Sequence, residues 1–168
     1  MKKKPAAFLD RDGVINYDYG FIKKFEDFEF RPGVIKGLQY LKKKKFTIFI
    51  VTNQSGIARG LFTEKDLKLL HNKLRKVLMK NRIKLDEIKY SPYHPKGIIK
   101  KYTKQHRSRK PENLMIKQLI KKFPIDINKS FMIGDRLSDE KCAKKSKIYF
   151  EYAKKNFYFQ IKNILKKI

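Results

Sequence analysis

Residues 8–16 read Phe-Leu-Asp-Arg-Asp-Gly-Val-Ile-Asn, and the prediction of the fold starts from this stretch. The run before its acids, Ala6–Leu9, is short and apolar enough to form a buried parallel strand. Side chains alternate along a strand, so Asp10 and Asp12 point the same way if the extended form continues to a turn at Gly13. The pattern predicts two carboxylates at the carboxyl end of a central strand, where open α/β sheets bind ligands.

Two acids at such a place have a chemical interpretation. One can attack an electrophile and form a covalent intermediate, as in enzymes that form an aspartyl phosphate. The other can give a proton to the leaving group and later take one from water. The same residues are also compatible with a solvated turn after a strand, so the interpretation depends on partners further along the chain.

Length and composition indicate a single folded domain over residues 1–168, which we expect to be a monomer. The chain is 41% hydrophobic with 13 Phe and 9 Tyr, too apolar for a disordered protein. Its one cysteine, Cys142, excludes an intramolecular disulfide. The apolar run after the basic start is too short for a signal peptide, and no stretch approaches the ~20 residues of a membrane span. We expect a cytoplasmic protein with no membrane partner.

The net charge of +27 raises the question of a nucleic-acid partner. The lysines are spread along the whole chain, however, and arginine, the group favoured for reading phosphates and bases, is scarce beside lysine. A lysine-biased composition explains the charge better, and we expect no specific nucleic-acid partner. A basic surface would still steer a phosphorylated anion toward the protein.

The hydrophobic pattern predicts alternating strands and helices. A turn at Arg31-Pro32-Gly33 opens a helix through Leu41, and residues 46–51 form a strand, which gives the strand–helix–strand unit of a parallel sheet. The same reasoning predicts a helix with a capping box after Thr63, a strand over 85–90, a helix opened by Pro111, strands over 131–133 and 147–150, and a closing amphipathic helix over 157–168.

Three further polar stretches fall at predicted element edges. Residues 52–56, Thr-Asn-Gln-Ser-Gly, supply hydroxyl and amide groups suited to a phosphate, although such residues are common in ordinary turns. Arg109-Lys110 precedes a helix, where cations are unfavourable unless an anion lies between them. In residues 134–139, Gly-Asp-Arg-Leu-Ser-Asp, Ser138 is predicted to cap the next helix and Asp139 to lie in its first turn. His71 sits between core positions, and we expect a structural or solvated role for it.

The four signals D-x-D-G, T-N-Q-S-G, R-K-P and G-D-x-x-x-D, in this order on a βαβ framework, resemble the haloacid dehalogenase (HAD) superfamily of phosphatases. More narrowly, F-L-D-R-D-G-V-I-N with T-N-Q-S-G-I-A-R-G, R-K-P and M-I-G-D is similar to the subfamily of D,D-heptose 1,7-bisphosphate 7-phosphatases and histidinol-phosphate phosphatases. The resemblance runs from about residue 6 to residue 149. It implies a three-layer, Rossmann-like α/β fold, with a mostly parallel sheet flanked by helices and no large cap domain.

The resemblance also implies residue roles. Asp10 would be the nucleophile and Asp12 the general acid and base. Mg²⁺ would be held by Asp10, the main-chain carbonyl of Asp12, and Asp135, in keeping with the few carboxylates by which Mg²⁺ is usually bound. Asp139 would cap a helix or support the site rather than bind the metal. The phosphoryl oxygens would be held by Thr52, Asn53 and Lys110, and the rest of the substrate by Asp18, Tyr19, Gly20, Phe21, Gln54, Ser55, Arg59, Arg109 and Arg136.

One departure concerns a zinc loop of the form C-x-H…C-x-C that the subfamily usually carries before R-K-P. The corresponding positions here are Ser91, Tyr93, His106 and Ser108. One imidazole cannot make a structural zinc site, which needs four Cys or His ligands. We expect no structural zinc, and a loop over 91–110 held by Tyr93, Tyr102 and prolines. A metal site made from His94 and His106 is an alternative.

The resemblance implies a Mg²⁺-dependent phosphatase that removes the C7 phosphate of D-glycero-D-manno-heptose 1,7-bisphosphate, in a pathway that supplies lipopolysaccharide or another surface glycan. Histidinol phosphate is an alternative substrate, and a 3′-phosphorylated nucleic-acid end is a third. A protein of a different class, a catalytically silent binding protein on the same fold, is disfavoured because the candidate catalytic residues are all present.

Overall fold

A computed structural model describes residues 2–168, and a parallel sheet of five strands lies at its centre. The strands are β1 (Ala6–Leu9), β2 (Thr47–Asn53), β3 (Glu87–Ser91), β4 (Phe131–Gly134) and β5 (Tyr149–Tyr152). The helices are α1 (Val34–Lys43), α2 (Glu64–Lys80), α3 (Leu114–Lys122), α4 (Leu137–Lys145) and α5 (Phe157–Ile164). Short 3₁₀ turns occur at Phe25–Asp27, Lys100–Tyr102 and Ile127–Lys129.

The strand order is β3-β2-β1-β4-β5, so the strand that carries the two acids is the middle one. Phe8 of β1 is paired with Phe49 on one side and Met132 on the other. All four residues of β1 are fully buried, as the apolar run before Asp10 predicts. The order changes direction at β1, which is where open parallel sheets form their ligand crevice.

Helices cover both faces of the sheet and give three layers. Ala7 and Leu9 of β1 belong to one apolar core with residues of α1, α2 and α5. Ala6 and Phe8 point to the opposite face and pack in a second core with residues of α3 and α4. Successive side chains of the buried strand β1 therefore face two different helical layers, which confirms the predicted three-layer α/β fold. No helix within residues 2–168 is long and apolar enough to cross a membrane.

Several predicted boundaries need correction. The helix predicted to open at Pro111 begins three residues later, at Leu114, because Glu112 closes a turn onto the Arg109 carbonyl. Ser138 does not cap α4, since it is already the second helical residue; the Asp139 carboxylate instead accepts a hydrogen bond from the Arg136 backbone N–H at 3.0 Å. The capping box predicted at Thr63 is confirmed.

Four strands also differ from their predicted bounds, and β4 does so only by including Gly134. β2 continues to Asn53, so the first two polar residues of the 52–56 stretch belong to the strand instead of a following turn. β3 begins at Glu87, and β5 begins at Tyr149 because Lys147 adopts the left-handed conformation with φ 55° and forms a turn. Local composition indicates the strands, whereas pairing with neighbours decides where each one ends.

Candidate active site

A cavity of about 670 Å³ lies at the carboxyl ends of the central strands. It forms there because the chain leaves β1, β2 and β4 through polar turns at the same sheet edge. The predicted site residues that line it are Asp10, Asp12, Asp18, Gly20, Phe21, Thr52, Asn53, Gln54, Ser55, Arg59, Arg109, Lys110 and Arg136. Residues that are far apart in sequence thus reach one site.

Lys110 is the cation at the floor of this cavity, and it is 2% exposed. Its Nζ lies 3.1 Å from Oδ1 of Asp10 and 2.5 Å from Oδ1 of Asp139, and it donates to the Val51 carbonyl at 2.8 Å. The side-chain amide of Asn53 accepts from the Lys110 N–H and donates to the Lys110 carbonyl, both at 3.0 Å. These paired bonds tie the loop that carries the lysine to the end of β2.

The charges at the floor are strongly coupled. Burial raises the pKa of Asp10 to about 7; the Lys110 ammonium opposes this rise, whereas the carboxylates of Asp139, Asp12 and Asp135 add to it. Burial acts to lower the pKa of Lys110, but Asp10 and Asp139 outweigh it, so that pKa is raised. The lysine therefore stays charged, and its single positive charge offsets only part of the repulsion that the neighbouring carboxylates exert on Asp10.

Asp12 lies in a different environment. The buried guanidinium of Arg11 donates from Nε and Nη2 to its carboxylate, at 3.2 and 2.9 Å. The amides of Asn16 and Gln54 donate to the same carboxylate at 2.9 and 2.8 Å. Burial acts to raise the pKa of Asp12, but Arg11 and these hydrogen bonds outweigh it, so the pKa lies below its usual value. Two acids separated by one residue thus have opposite pKa shifts.

Neither Arg11 nor Asn16 is predicted as a site residue from the sequence. Arg11 is fully buried and Asn16 likewise, each with a side chain directed at Asp12. The only signal in the sequence is their position inside the opening stretch, since a charged residue between two acids looks like a solvated one. Their role follows from the turn at Gly13, which folds the chain back over Asp12.

A second group of acids could hold a metal ion. Asp10, Asp135 and Asp139 each offer a carboxylate oxygen, and these oxygens lie within 4.8 Å of one another. Burial and the neighbouring Asp139 raise the pKa of Asp135. The turn that brings Asp135 close requires a glycine: Gly13 has φ 80°, and a Cβ there would lie 2.2 Å from Oδ2 of Asp135. An all-oxygen donor set of this kind fits Mg²⁺.

Cations surround the mouth of the cavity. Arg109 donates to the Tyr93 carbonyl at 3.1 Å, and burial, with Arg59 and Arg136 nearby, lowers its pKa. Arg136 pairs with Asp18 at 2.9 Å. Positive charge therefore remains in excess around the mouth, an arrangement that suits an anionic ligand.

Arg59 adds an aromatic contact to this rim. Its guanidinium lies 5.9 Å from the ring of Phe21, and its Nη2 is 3.2 Å from Nε2 of His94. His94 lines the cavity although the sequence does not predict it as a substrate contact. Tyr19 is the predicted substrate contact that does not line the cavity, because its hydroxyl bonds to Glu29 at 2.5 Å and its side chain is 62% exposed.

The loop over 91–110 brings together the four positions that correspond to the zinc ligands of the subfamily. The Ser108 hydroxyl lies 2.7 Å from Nδ1 of His106 and donates to the Ser91 hydroxyl at 3.0 Å. The His106 ring stacks on Tyr93 with 3.9 Å between centroids, and Tyr93 meets Tyr102 edge to face. Among residues 2–168, His106 belongs to no cluster of three potential metal ligands, and neither does His94.

The structure brings the acids that follow β1 and β4, the Thr52 hydroxyl and the buried Lys110 to one sheet edge. The fold and the family match identify the chain as a HAD-type phosphatase. It belongs to the family described as "Polynucleotide kinase 3 phosphatase", whose model matches residues 8–165.

Named relatives are phosphatases of heptose bisphosphates. The chain is 39% identical over 142 residues to the D-glycero-beta-D-manno-heptose-1,7-bisphosphate 7-phosphatase of Rhodopseudomonas palustris, covering 84% of this chain and 79% of that one. It is 42% identical over 137 residues to a D-glycero-alpha-D-manno-heptose-1,7-bisphosphate 7-phosphatase of Photorhabdus laumondii, covering 82% and 75%. The crystal structure of D,D-heptose 1,7-bisphosphate phosphatase from B. bronchiseptica, complexed with magnesium and phosphate, superposes with a TM-score of 0.79 at 27% identity, covering 97% and 86%.

Proposed function

We propose that this protein removes the C7 phosphate of D-glycero-D-manno-heptose 1,7-bisphosphate through an aspartyl phosphate on Asp10. The observation that carries the proposal is the contrast between two neighbouring acids. Asp10 faces the lysine at the floor of the cavity, and Asp12 is held by a separate set of donors beside it. Such a division of environments suits a nucleophile and a proton-transfer group. The heptose-phosphatase relatives support the choice of substrate.

In the first step Oδ of Asp10 attacks phosphorus while the bond to the sugar oxygen breaks, and Asp12 gives that oxygen a proton. The arriving phosphate brings negative charge beside Asp12 and so raises its pKa, which allows proton uptake with the substrate. In the second step Asp12 takes a proton from water, and the water oxygen attacks phosphorus while the bond from phosphorus to the Asp10 oxygen breaks, which releases phosphate and returns the Asp10 carboxylate. Lys110, Thr52 and Asn53 hold the phosphoryl oxygens throughout.

Mg²⁺ would be held by Asp10, the main-chain carbonyl of Asp12, and Asp135. The close carboxylate oxygens of Asp10 and Asp135 support this assignment. The ion supplies positive charge that offsets repulsion between an anionic nucleophile and an anionic phosphate.

The rim cations favour a bisphosphate over histidinol phosphate. Arg59 and Arg109 carry no carboxylate partner among the described residues, so their charge is free to bind the non-reacting phosphate. Histidinol phosphate instead presents an ammonium group on its non-reacting side, which the two guanidinium groups would repel. We assign Asp18, Gly20, Phe21, Gln54, Ser55 and Arg136 to the sugar.

A nucleic-acid 3′-phosphatase is the second candidate. The family description and the net charge of +27 favour it. Against it, the named relatives quoted above act on a sugar phosphate. We place the heptose reaction in the cytoplasm, where its product would supply lipopolysaccharide or another surface glycan.

The test is phosphate release with Mg²⁺ from both anomers of heptose 1,7-bisphosphate, histidinol phosphate and a 3′-phosphorylated oligonucleotide. We expect kcat/KM to be highest for one heptose anomer. Arg59→Met should raise KM for the bisphosphate about tenfold and leave KM for heptose 7-phosphate nearly unchanged, because a charge-assisted contact is lost only in the first case. Preference for either other substrate would replace the heptose assignment, and oligonucleotide turnover that persists in moderate salt would establish the second candidate.

A further inference from the structure

Arg11 is a buried charge with a partner at every arm of its guanidinium. Its Nε and Nη2 engage the Asp12 carboxylate, and Nη2 also lies 3.3 Å from Oε1 of Gln54. Its third nitrogen, Nη1, lies 3.2 Å from Nε2 of His71 on α2. With no exposure to water, each of these donors depends on its protein partner.

The contact with His71 has a defined polarity. A guanidinium only donates, so Nε2 of His71 must be the acceptor and the imidazole must be neutral with its proton on Nδ1. The ring is 6% exposed and does not line the cavity. Burial and the adjacent Arg11 lower the pKa of His71 to about 3, in keeping with a permanently neutral ring.

Orientation of the arginine fixes the orientation of Asp12. The guanidinium is planar, so fixing Nη1 also fixes the plane in which Nε and Nη2 approach the carboxylate. Without Nε2 of His71, Nη1 of Arg11 would be buried without a hydrogen-bond acceptor. The guanidinium could then find another acceptor only by rotating away from Asp12. The sequence predicts a structural or solvated role for His71; the contact links it to the acid–base group.

We propose that His71 is a positioning residue for proton transfer: by accepting a hydrogen bond from Arg11 it fixes the guanidinium that aligns the Asp12 carboxylate with the leaving oxygen. The inference rests on the proposed role of Asp12. The positioning role of His71 should matter only for a poor leaving group, because a good leaving group departs without general acid catalysis.

The experiment compares kcat/KM for an alkyl phosphate, heptose 1,7-bisphosphate, with kcat/KM for p-nitrophenyl phosphate. The ratio kcat/KM reports the first chemical step, so slow hydrolysis of the intermediate does not mask the effect. His71→Leu should lower kcat/KM about tenfold for the alkyl phosphate and less than about twofold for p-nitrophenyl phosphate, because a small displacement of a catalytic group has such an effect.

Two amide variants test whether the hydrogen-bond acceptor at residue 71 must lie at the place of Nε2 or need only be polar. In His71→Gln the amide oxygen can occupy the place of Nε2, and we expect kcat/KM for the alkyl phosphate within about threefold of the parent. In His71→Asn the amide reaches only the place of Nδ1, and we expect it to behave as His71→Leu does. Leu74→Ala, on the same helix and also fully buried, controls for simple destabilisation of α2 and should show no leaving-group dependence.

Equal losses on both substrates in His71→Leu and His71→Asn, or full activity in both, would overturn the inference. Asp12→Asn distinguishes this failure from a failure of the proposed function. If Asp12→Asn shows a large leaving-group dependence and the His71 variants show none, only the positioning role is wrong. If Asp12→Asn itself loses nothing on the alkyl phosphate, the proposed role of Asp12 fails, and the inference fails with it.

Discussion

The ammonium of Lys110 lies 3.1 Å from Oδ1 of Asp10. Both side chains are nearly inaccessible to water. Lys110 comes from a loop, and Asp10 directly follows the central strand β1. The lysine offsets part of the repulsion among the acids at this sheet edge, and it also lies where a phosphoryl group would meet Asp10. One residue therefore contributes both to the stability of the site and to its proposed chemistry.

Asp10→Asn should abolish turnover, with a loss of at least about 10³-fold, because an amide cannot form the acyl phosphate that a carboxylate forms. The protein should remain folded, since the change removes one of several mutually repelling acids. Phosphate release and a thermal melt check the two statements, with Asp27→Asn, an exposed acid, as the control. Full activity of Asp10→Asn would exclude Asp10 as the nucleophile.

Lys110→Met should cost about 3–5 kcal/mol in the free energy of unfolding at pH 7, because it leaves Asp10 and Asp139 buried without their cation. Activity should fall with it. Denaturant unfolding measures the cost, and Lys121→Met, at an exposed lysine, should change stability by less than about 0.5 kcal/mol. A similarly small change in the free energy of unfolding for both variants would show that the ion pairs of Lys110 contribute little to stability.

Mg²⁺ should stabilise the protein and EDTA should abolish its activity. At a concentration of 100 Kd, a ligand that binds only the folded state adds about 2.7 kcal/mol. Asp135→Asn should reduce this stabilisation strongly, because it removes one of the clustered carboxylates. Thermal melts across a Mg²⁺ titration test both statements. An unchanged Mg²⁺ response in Asp135→Asn would place the metal elsewhere.

Glu151 should make stability depend on pH. Burial acts to raise its pKa, but the Lys167 ammonium at 2.7 Å and hydrogen bonds from Tyr149 and Gln160 outweigh it and lower the pKa to about 2. A depressed folded-state pKa gives stability above the usual value of 4.5 that is lost as pH falls toward 2.

Glu151→Gln should therefore lower the free energy of unfolding by about 1–3 kcal/mol at pH 7 and by nearly nothing at pH 2. The figure at pH 7 allows for the partial exposure of Lys167, which weakens the ion pair. Urea unfolding of both proteins from pH 7 to pH 2 measures the difference. A difference that stays constant over this range would contradict the assigned pKa.

Purified protein should contain less than about 0.1 zinc per chain, because Ser91, Tyr93, His106 and Ser108 offer one imidazole and three hydroxyl groups where a structural site needs four thiolate or imidazole ligands. Metal analysis measures this, and a zinc chelator should leave the melting temperature unchanged. One zinc per chain would contradict the prediction and would favour a site that includes His94.

The three-layer fold and most of the candidate site can be predicted from local patterns in the sequence. The apolar run at Ala6–Leu9, the helical periodicity of α1, α2 and α5, and the polar residues after each strand are local patterns, so they can be identified without knowing which elements meet. In a parallel sheet the carboxyl ends of the strands share one edge. The sequence therefore predicts that acids and hydroxyls at those ends converge.

The pairing of the converging groups depends on contacts between segments that are far apart in the sequence. No sequence pattern assigns a role to Arg11, and His71 is predicted to have a structural or solvated role, yet the fold buries both and joins them behind Asp12. The start of α3 and the end of β2 also depend on contacts between distant segments. Such pairings follow from strand order and from the burial of charges that then need partners, and neither can be read from a local pattern.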